Sequence, residues 1–135
     1  MDYNHIIAIS LHGLSGVFWA GTSFALARIG ANGERLFAPQ MTAALIAMAS
    51  GVYLWAMTHA GAFGPSEQVL VAGIASAVVA AIVQLAIGGP AVRRLRANPA
   101  AGQDTARARF SLAQRAGAAM LAVTVTCMVV ARYVW

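Results

Sequence analysis

Of the three histidines in this chain, only His12 falls well inside an apolar run. It sits about two turns into the first hydrophobic stretch, where an ionisable side chain is costly and is a functional candidate by default. His5, His12 and Trp19 recur every seven residues and so share one helix face with Ile9, Gly16 and Ser23. A face carrying His, Gly and Ser is expected to point into a bundle, because small residues permit close helix approach. His59 closes the second apolar stretch level with His5, and Met57 lies just inside it. Cys127 and Met128 lie about two turns from the outer end of the last stretch, which puts them at the expected depth of His12. Imidazole and thioether groups suit haem iron or copper. The plainer alternative is that His12 hydrogen-bonds a neighbouring helix. Met41, Met48, Met57, Met120 and Met128 then serve as flexible apolar filler, and His5 and His59 are solvated at the interface. Gln84 reads as an interhelical hydrogen-bond partner rather than a ligand. There is no glycine-rich phosphate loop, no paired carboxylate and no nucleophile beside a base, which argues against a hydrolase or an ATP-driven pump.

The elements that must position these groups are helices in lipid. Of 135 residues, 60% are hydrophobic and 10% charged, against about 25% charged in a soluble domain. Four apolar stretches, residues 4–29, 38–59, 66–94 and 108–133, each exceed the ~20 residues that cross the hydrocarbon. None alternates as a barrel strand would. The expected fold is all-α: one integral membrane domain over residues 1–135, a four-helix bundle running up-down-up-down. Gly30-Ala31-Asn32-Gly33 ends the first helix and Pro39 suits the first turn of the second. Gly61-Ala62-Phe63-Gly64-Pro65 separates the second and third, with Ser66 as a candidate N-cap. Asn98-Pro99 and Gly102 mark the third loop, and Asp104 is a candidate cap for the fourth helix. Gly88-Gly89-Pro90 predicts a kink late in the third.

Arginine placement sets the orientation. Arg28, Arg35, Arg93, Arg94, Arg96, Arg107, Arg109 and Arg115 fall on one side, and Arg132 alone on the other. Eight against one places both termini outside the cytoplasm. Tyr3, Tyr53, Trp55, Tyr133 and Trp135 gather at the end without the cluster, as an interfacial belt would. The net charge of +5 therefore reads as topology and not as a nucleic-acid footprint. Asp2, the absence of a basic N-terminal residue and the length of the first run favour a retained helix over a cleaved signal peptide. The lone cysteine excludes an intrachain disulfide.

The run His12-Gly-Leu-Ser-Gly-Val-Phe-Trp19-Ala-Gly21, followed by Arg28, resembles the first helix of the HemJ-type protoporphyrinogen oxidases. It is also similar to the wider set of small membrane domains that includes copper resistance protein D. Met41, Ala44 and the Gly51-x-x-Leu54 step continue the likeness in the second helix, so that it spans about the first 60 residues. The resemblance implies a four-helix bundle holding b-type haem through His12, with Trp19 and Arg28 completing the motif. The HemJ-type enzymes also carry a Lys in the third helix and an Arg-x-x-Asn-Glu-x-Pro motif opening the fourth. This chain has no Lys, and reads Arg115-Ala-Gly-Ala-Ala-Met-Leu at the second place. Loss of those groups removes the acid–base equipment for porphyrinogen oxidation.

Three functions follow as expectations. One is a haem b-binding or redox-associated protein of the inner membrane of a bacterium, without porphyrinogen oxidase activity, with His12 and Met128 or a second His as axial ligands. Another is an outer-face copper module built from His5, His12, Met57, His59 and Met128. The last is an accessory subunit of a respiratory or photosynthetic complex, or a homo-oligomer, surrounded by lipid.

Overall fold

The computed structural model describes residues 3–59, 61, 63–97 and 102–134. Asp2, Ala62, Asn98, Pro99 and Trp135, which the sequence reading used as topology and loop markers, lie outside these. The described residues are helical, with no strand among them. Helix α1 spans Tyr3–Ile29, a 3-10 segment follows over Gly30–Leu36, and α2 spans Phe37–Thr58. Helix α3 runs from Pro65 to Ala97 and contains a π-turn at Gln84–Gly88. Helix α4 spans Gln103–Val130. Three continuous helical stretches of the described residues are long and apolar enough to cross a membrane: Tyr3–Thr58, Pro65–Ala97 and Gln103–Val130. The first contains the 3-10 segment, where the chain turns back so that α2 runs antiparallel along α1.

Burial runs opposite to that of a soluble bundle. Leu14 and Val17 are each 74% exposed, while the central packing consists of Ala43, Ala44, Ala47, Ala80 and Ala81 around Trp19 and Leu121. Large aliphatics outside and small residues inside suit a lipid solvent, in which close backbone packing holds helices together. The backbone of α1 packs along α2 and α4, and that of α3 along α4; α2 and α3 approach each other much less closely. Gly73 shows how tight the α3–α4 seam is. A Cβ there would lie 2.9 Å from the Cβ of Cys127, and Thr124 Oγ1 donates to the Gly73 carbonyl at 3.0 Å. Ser76 Oγ likewise donates to the Met120 carbonyl at 2.8 Å.

The helix boundaries follow the sequence with physical exceptions. Gly64, not Ser66, is the N-cap of α3, and its N–H donates to Glu67 Oε2 at 2.8 Å. Helix α4 begins at Gln103 after a left-handed Gly102, so Asp104 lies in its first turn and is not the cap. Its arginine-rich opening is helical because Ala106 and Phe110 are buried. Phe110 packs with Leu26, Phe37, Ala91 and Val92, and Phe37 meets Phe110 edge-on at 6.0 Å. The break expected at Gly88-Gly89-Pro90 takes the form of the π-turn just before Pro90, whose ring and missing N–H cannot sustain a regular helical turn.

Candidate functional site

The centre of the bundle is a polar network to which every long helix contributes. Ser23 and Trp19 come from α1, Gln40 from α2, Gln84 from the π-turn of α3, and Gln114 from α4; all are buried. Trp19 Nε1 donates to Gln84 Oε1 at 2.8 Å. Gln84 Nε2 donates to Ser23 Oγ at 2.8 Å and to Gln114 Oε1 at 3.3 Å. Gln40 Nε2 donates to the same two acceptors, at 2.7 and 2.9 Å. Gln114 Nε2 returns a bond to Gln40 Oε1 at 3.2 Å, and Ser23 Oγ donates to the Trp19 carbonyl at 2.8 Å. No buried side-chain nitrogen or oxygen among the described residues lacks a partner. Gly117 is required here, because a Cβ on it would collide with the Gln84 amide. The network contains only amides, a hydroxyl and an indole, so it carries no titratable group and no charge.

His12 lies from this centre toward the end of the bundle that carries the start of α1 and the end of α2. Its Nδ1 sits 2.8 Å from the Ala47 carbonyl and 3.4 Å from Ser50 Oγ. A carbonyl only accepts, so Nδ1 carries the proton and donates, and Nε2 is the nitrogen left for another partner. Gly51 makes room for the ring, since a Cβ there would come within 3.0 Å of His12 Cε1. The Gly51-x-x-Leu54 step quoted from the sequence thus has a packing reason.

The remaining candidates are dispersed. His59 stacks on Trp55 with centroids 5.0 Å apart and lies 4.0 Å from Glu67 Oε1, fastening the end of α2 to the start of α3. His5 is half-buried near the start of α1, and Met57 is exposed. Cys127 and Met128 are half-buried. The bonds from Trp19 and Ser23 to Gln84, with those from Ser76 and Thr124 across α3 and α4, fix the register of these helices. That register puts His12 between the levels of Met120 and Thr124, with Met128 one to two turns farther along α4. Arg28 is exposed. Among the described residues no three of His, Cys, Asp and Glu gather as a metal set. Two clefts are not lined by His12. One lies between α1 and α2 against Leu11, Leu14, Phe18 and Ile46, and the other sits at the arginine-rich end.

Sequence reasoning placed Trp19 and Ser23 on an inward face and gave Gln84 its role, but passed over Gln40 and Gln114. Each stands beside a loop-like signal, Pro39 or Arg115, and reads as interfacial. The available clue was that three of the four apolar stretches contain a glutamine.

Fold and centre together define an all-helical protein with a lipid-compatible exterior and a neutral, fully bonded interior. No family model, curated protein or solved structure matches the chain.

Proposed function

We propose that this chain is a four-span protein of a bacterial cytoplasmic membrane, with both termini outside, and that it serves as a non-catalytic accessory bundle in a larger membrane complex. The four-span reading rests on the 56 helical residues of Tyr3–Thr58, far more than one crossing needs, and on the reversal at Gly30–Leu36. The arginine asymmetry supplies the orientation. The observation that carries the accessory role is the saturated network. A proton, ion or substrate passing between the helices would meet amides whose hydrogen bonds are already committed, with no group there to accept charge. Porphyrinogen oxidation has little support either, because Ala118 and Ala119 stand where the resembling family has Asn and Glu.

A second reading, b-type haem at His12, is favoured by one specific feature. Ligating imidazoles commonly donate their other ring nitrogen to a backbone carbonyl, which fixes the tautomer, and Nδ1 of His12 does this. The imidazole fits an axial position; among the described residues no cluster of three His, Cys, Asp or Glu accompanies it. Purification from membranes in mild detergent separates the two readings. A colourless, metal-free protein that copurifies with stoichiometric membrane subunits supports the accessory role. A Soret band that His12→Ala abolishes while the protein still inserts would overturn it in favour of haem, and copper without haem would favour the outer-face metal module.

A further inference from the structure

The arginine-rich end extends beyond the hydrocarbon. Helix α3 has 33 residues, about 50 Å of helix against ~30 Å of hydrocarbon, and α4 has 28. The last turns of α3 and the first turns of α4 thus reach together into the headgroup layer. Arg93, Arg94, Arg96, Arg107 and Arg109 are exposed on them, and Arg28 and Arg35 are exposed on the neighbouring elements. Among the described residues none of these arginines forms an ion pair with a carboxylate.

One place at this end is a shallow, open cleft. It has a volume of about 420 Å³ and lies where the 3-10 segment meets the α3–α4 ends. Its polar lining is Asn32, Glu34, Arg35, Gln103 and Arg107. Arg107 also donates to Gln103 Oε1 at 3.2 Å, which orients one guanidinium along the cleft wall. Two guanidinium groups and one carboxylate give the cleft a formal charge of +1. Guanidinium groups match phosphate oxygens through paired donors. The carboxylate disfavours a dianion and calls for a hydrogen-bond donor next to the phosphate.

We infer that this cleft binds the headgroup of a monoanionic glycerophospholipid, with the phosphodiester on Arg35 and Arg107 and a headgroup hydroxyl donating to Glu34. Phosphatidylglycerol has this chemistry. Choline has no donor for Glu34, phosphatidic acid has no headgroup hydroxyl, and ethanolamine is cationic and leaves the lipid without net charge. The inference rests on the membrane reading above and not on the accessory role.

The test uses the full chain in phosphatidylcholine nanodiscs with a minor fraction of phosphatidylglycerol, phosphatidylethanolamine or phosphatidic acid. Native mass spectrometry measures which lipid stays bound on release from the disc. Phosphatidylglycerol is expected to be retained preferentially. R35Q/R107Q should bind it roughly thirty-fold more weakly, at the usual contribution of each basic residue near an anionic surface. R94Q/R96Q, which removes equal charge outside the cleft, should leave retention unchanged, and Glu34→Gln should lower the preference for phosphatidylglycerol over phosphatidic acid. Equal losses in the two arginine variants would overturn the site in favour of diffuse surface charge. Competition by inorganic phosphate at comparable affinity would assign the cleft to a soluble anion. Equal retention of phosphatidylethanolamine would refute the monoanion assignment. A chain that fails to enter the discs would instead refute the membrane reading, before any lipid is measured.

Discussion

Gln84→Leu is the sharpest probe of the bundle centre. The substitution is nearly isosteric, inserts no charge and removes three hydrogen bonds. The losses are unequal. Ser23 Oγ and Gln114 Oε1 each keep a donor from Gln40, whereas Trp19 Nε1 has no other acceptor. Interhelical hydrogen bonds in membrane bundles average about 0.6 kcal/mol each, so the two replaceable bonds contribute ~1 kcal/mol. A buried indole N–H left without a partner adds about 1–3 kcal/mol. The expected destabilisation is therefore about 2–4 kcal/mol, mostly through Trp19. It follows that Trp19→Phe should cost much less in the Gln84→Leu background than in the wild type. The double-mutant cycle should give a coupling of about 1–2 kcal/mol. Unfolding free energies from denaturing-detergent titrations in mixed micelles, followed by helical ellipticity, provide the readout. Simple additivity of the two substitutions, or a Gln84→Leu protein as stable as wild type, would refute the account of the network as the element that fastens the helices.

Other outcomes are checked more simply. Gly117→Ala should destabilise by about 1–3 kcal/mol in the same titration because the methyl collides with the Gln84 amide, whereas Gly13→Ala, with nothing near its Cβ, should be neutral. Reporter fusions after Gly102 should report cytoplasm and fusions after Gly64 the outside; a cytoplasmic signal at Gly64 would invert the orientation. The chain should fail to restore growth to a strain lacking protoporphyrinogen oxidase, and robust rescue would show that the missing Lys and Asn-Glu pair are dispensable.

Much of the architecture was legible because lipid makes hydropathy decisive. The apolar runs, the Gly30–Gly33 break and the disturbance before Pro90 each follow from composition or from a backbone constraint. The opening of α4 was legible only in part. Asp104 as a candidate cap falls one residue inside the observed start at Gln103, but the apolar run begins only at residue 108, and burial of Ala106 and Phe110 reveals why the chain stays helical before it. The seven-residue face drawn through His5, His12 and Trp19 was legible in part. Trp19 and Ser23 are buried, but Ile9 is 47% exposed, since a straight helix drifts by about 20° per seven residues. His12 itself was identified as an ionisable group within an apolar run and in need of a partner; that the partner is the Ala47 carbonyl depends on helix register, which no single-sequence pattern encodes.

The wide seam between α2 and α3 bears on how the protein is made. Backbone packing divides the chain into two hairpins, α1–α2 and α3–α4, joined along α1 and α4. The first hairpin leaves the ribosome with Trp19, Ser23 and Gln40 already in place, yet two of their acceptors, Gln84 Oε1 and Gln114 Oε1, belong to helices not yet synthesised. Until the second hairpin docks, an indole N–H and an amide face lipid without those partners. The network is thus a record of the second hairpin's docking: a nascent or truncated chain ending near Thr58 displays polar groups that membrane quality-control proteases can recognise, and docking of α3 and α4 hides them. Pulse-chase turnover of a chain stopped after Thr58 should be fast. Coexpression of residues 59–135 as a separate polypeptide should slow it, and Gln84→Leu in that second fragment should abolish most of the protection.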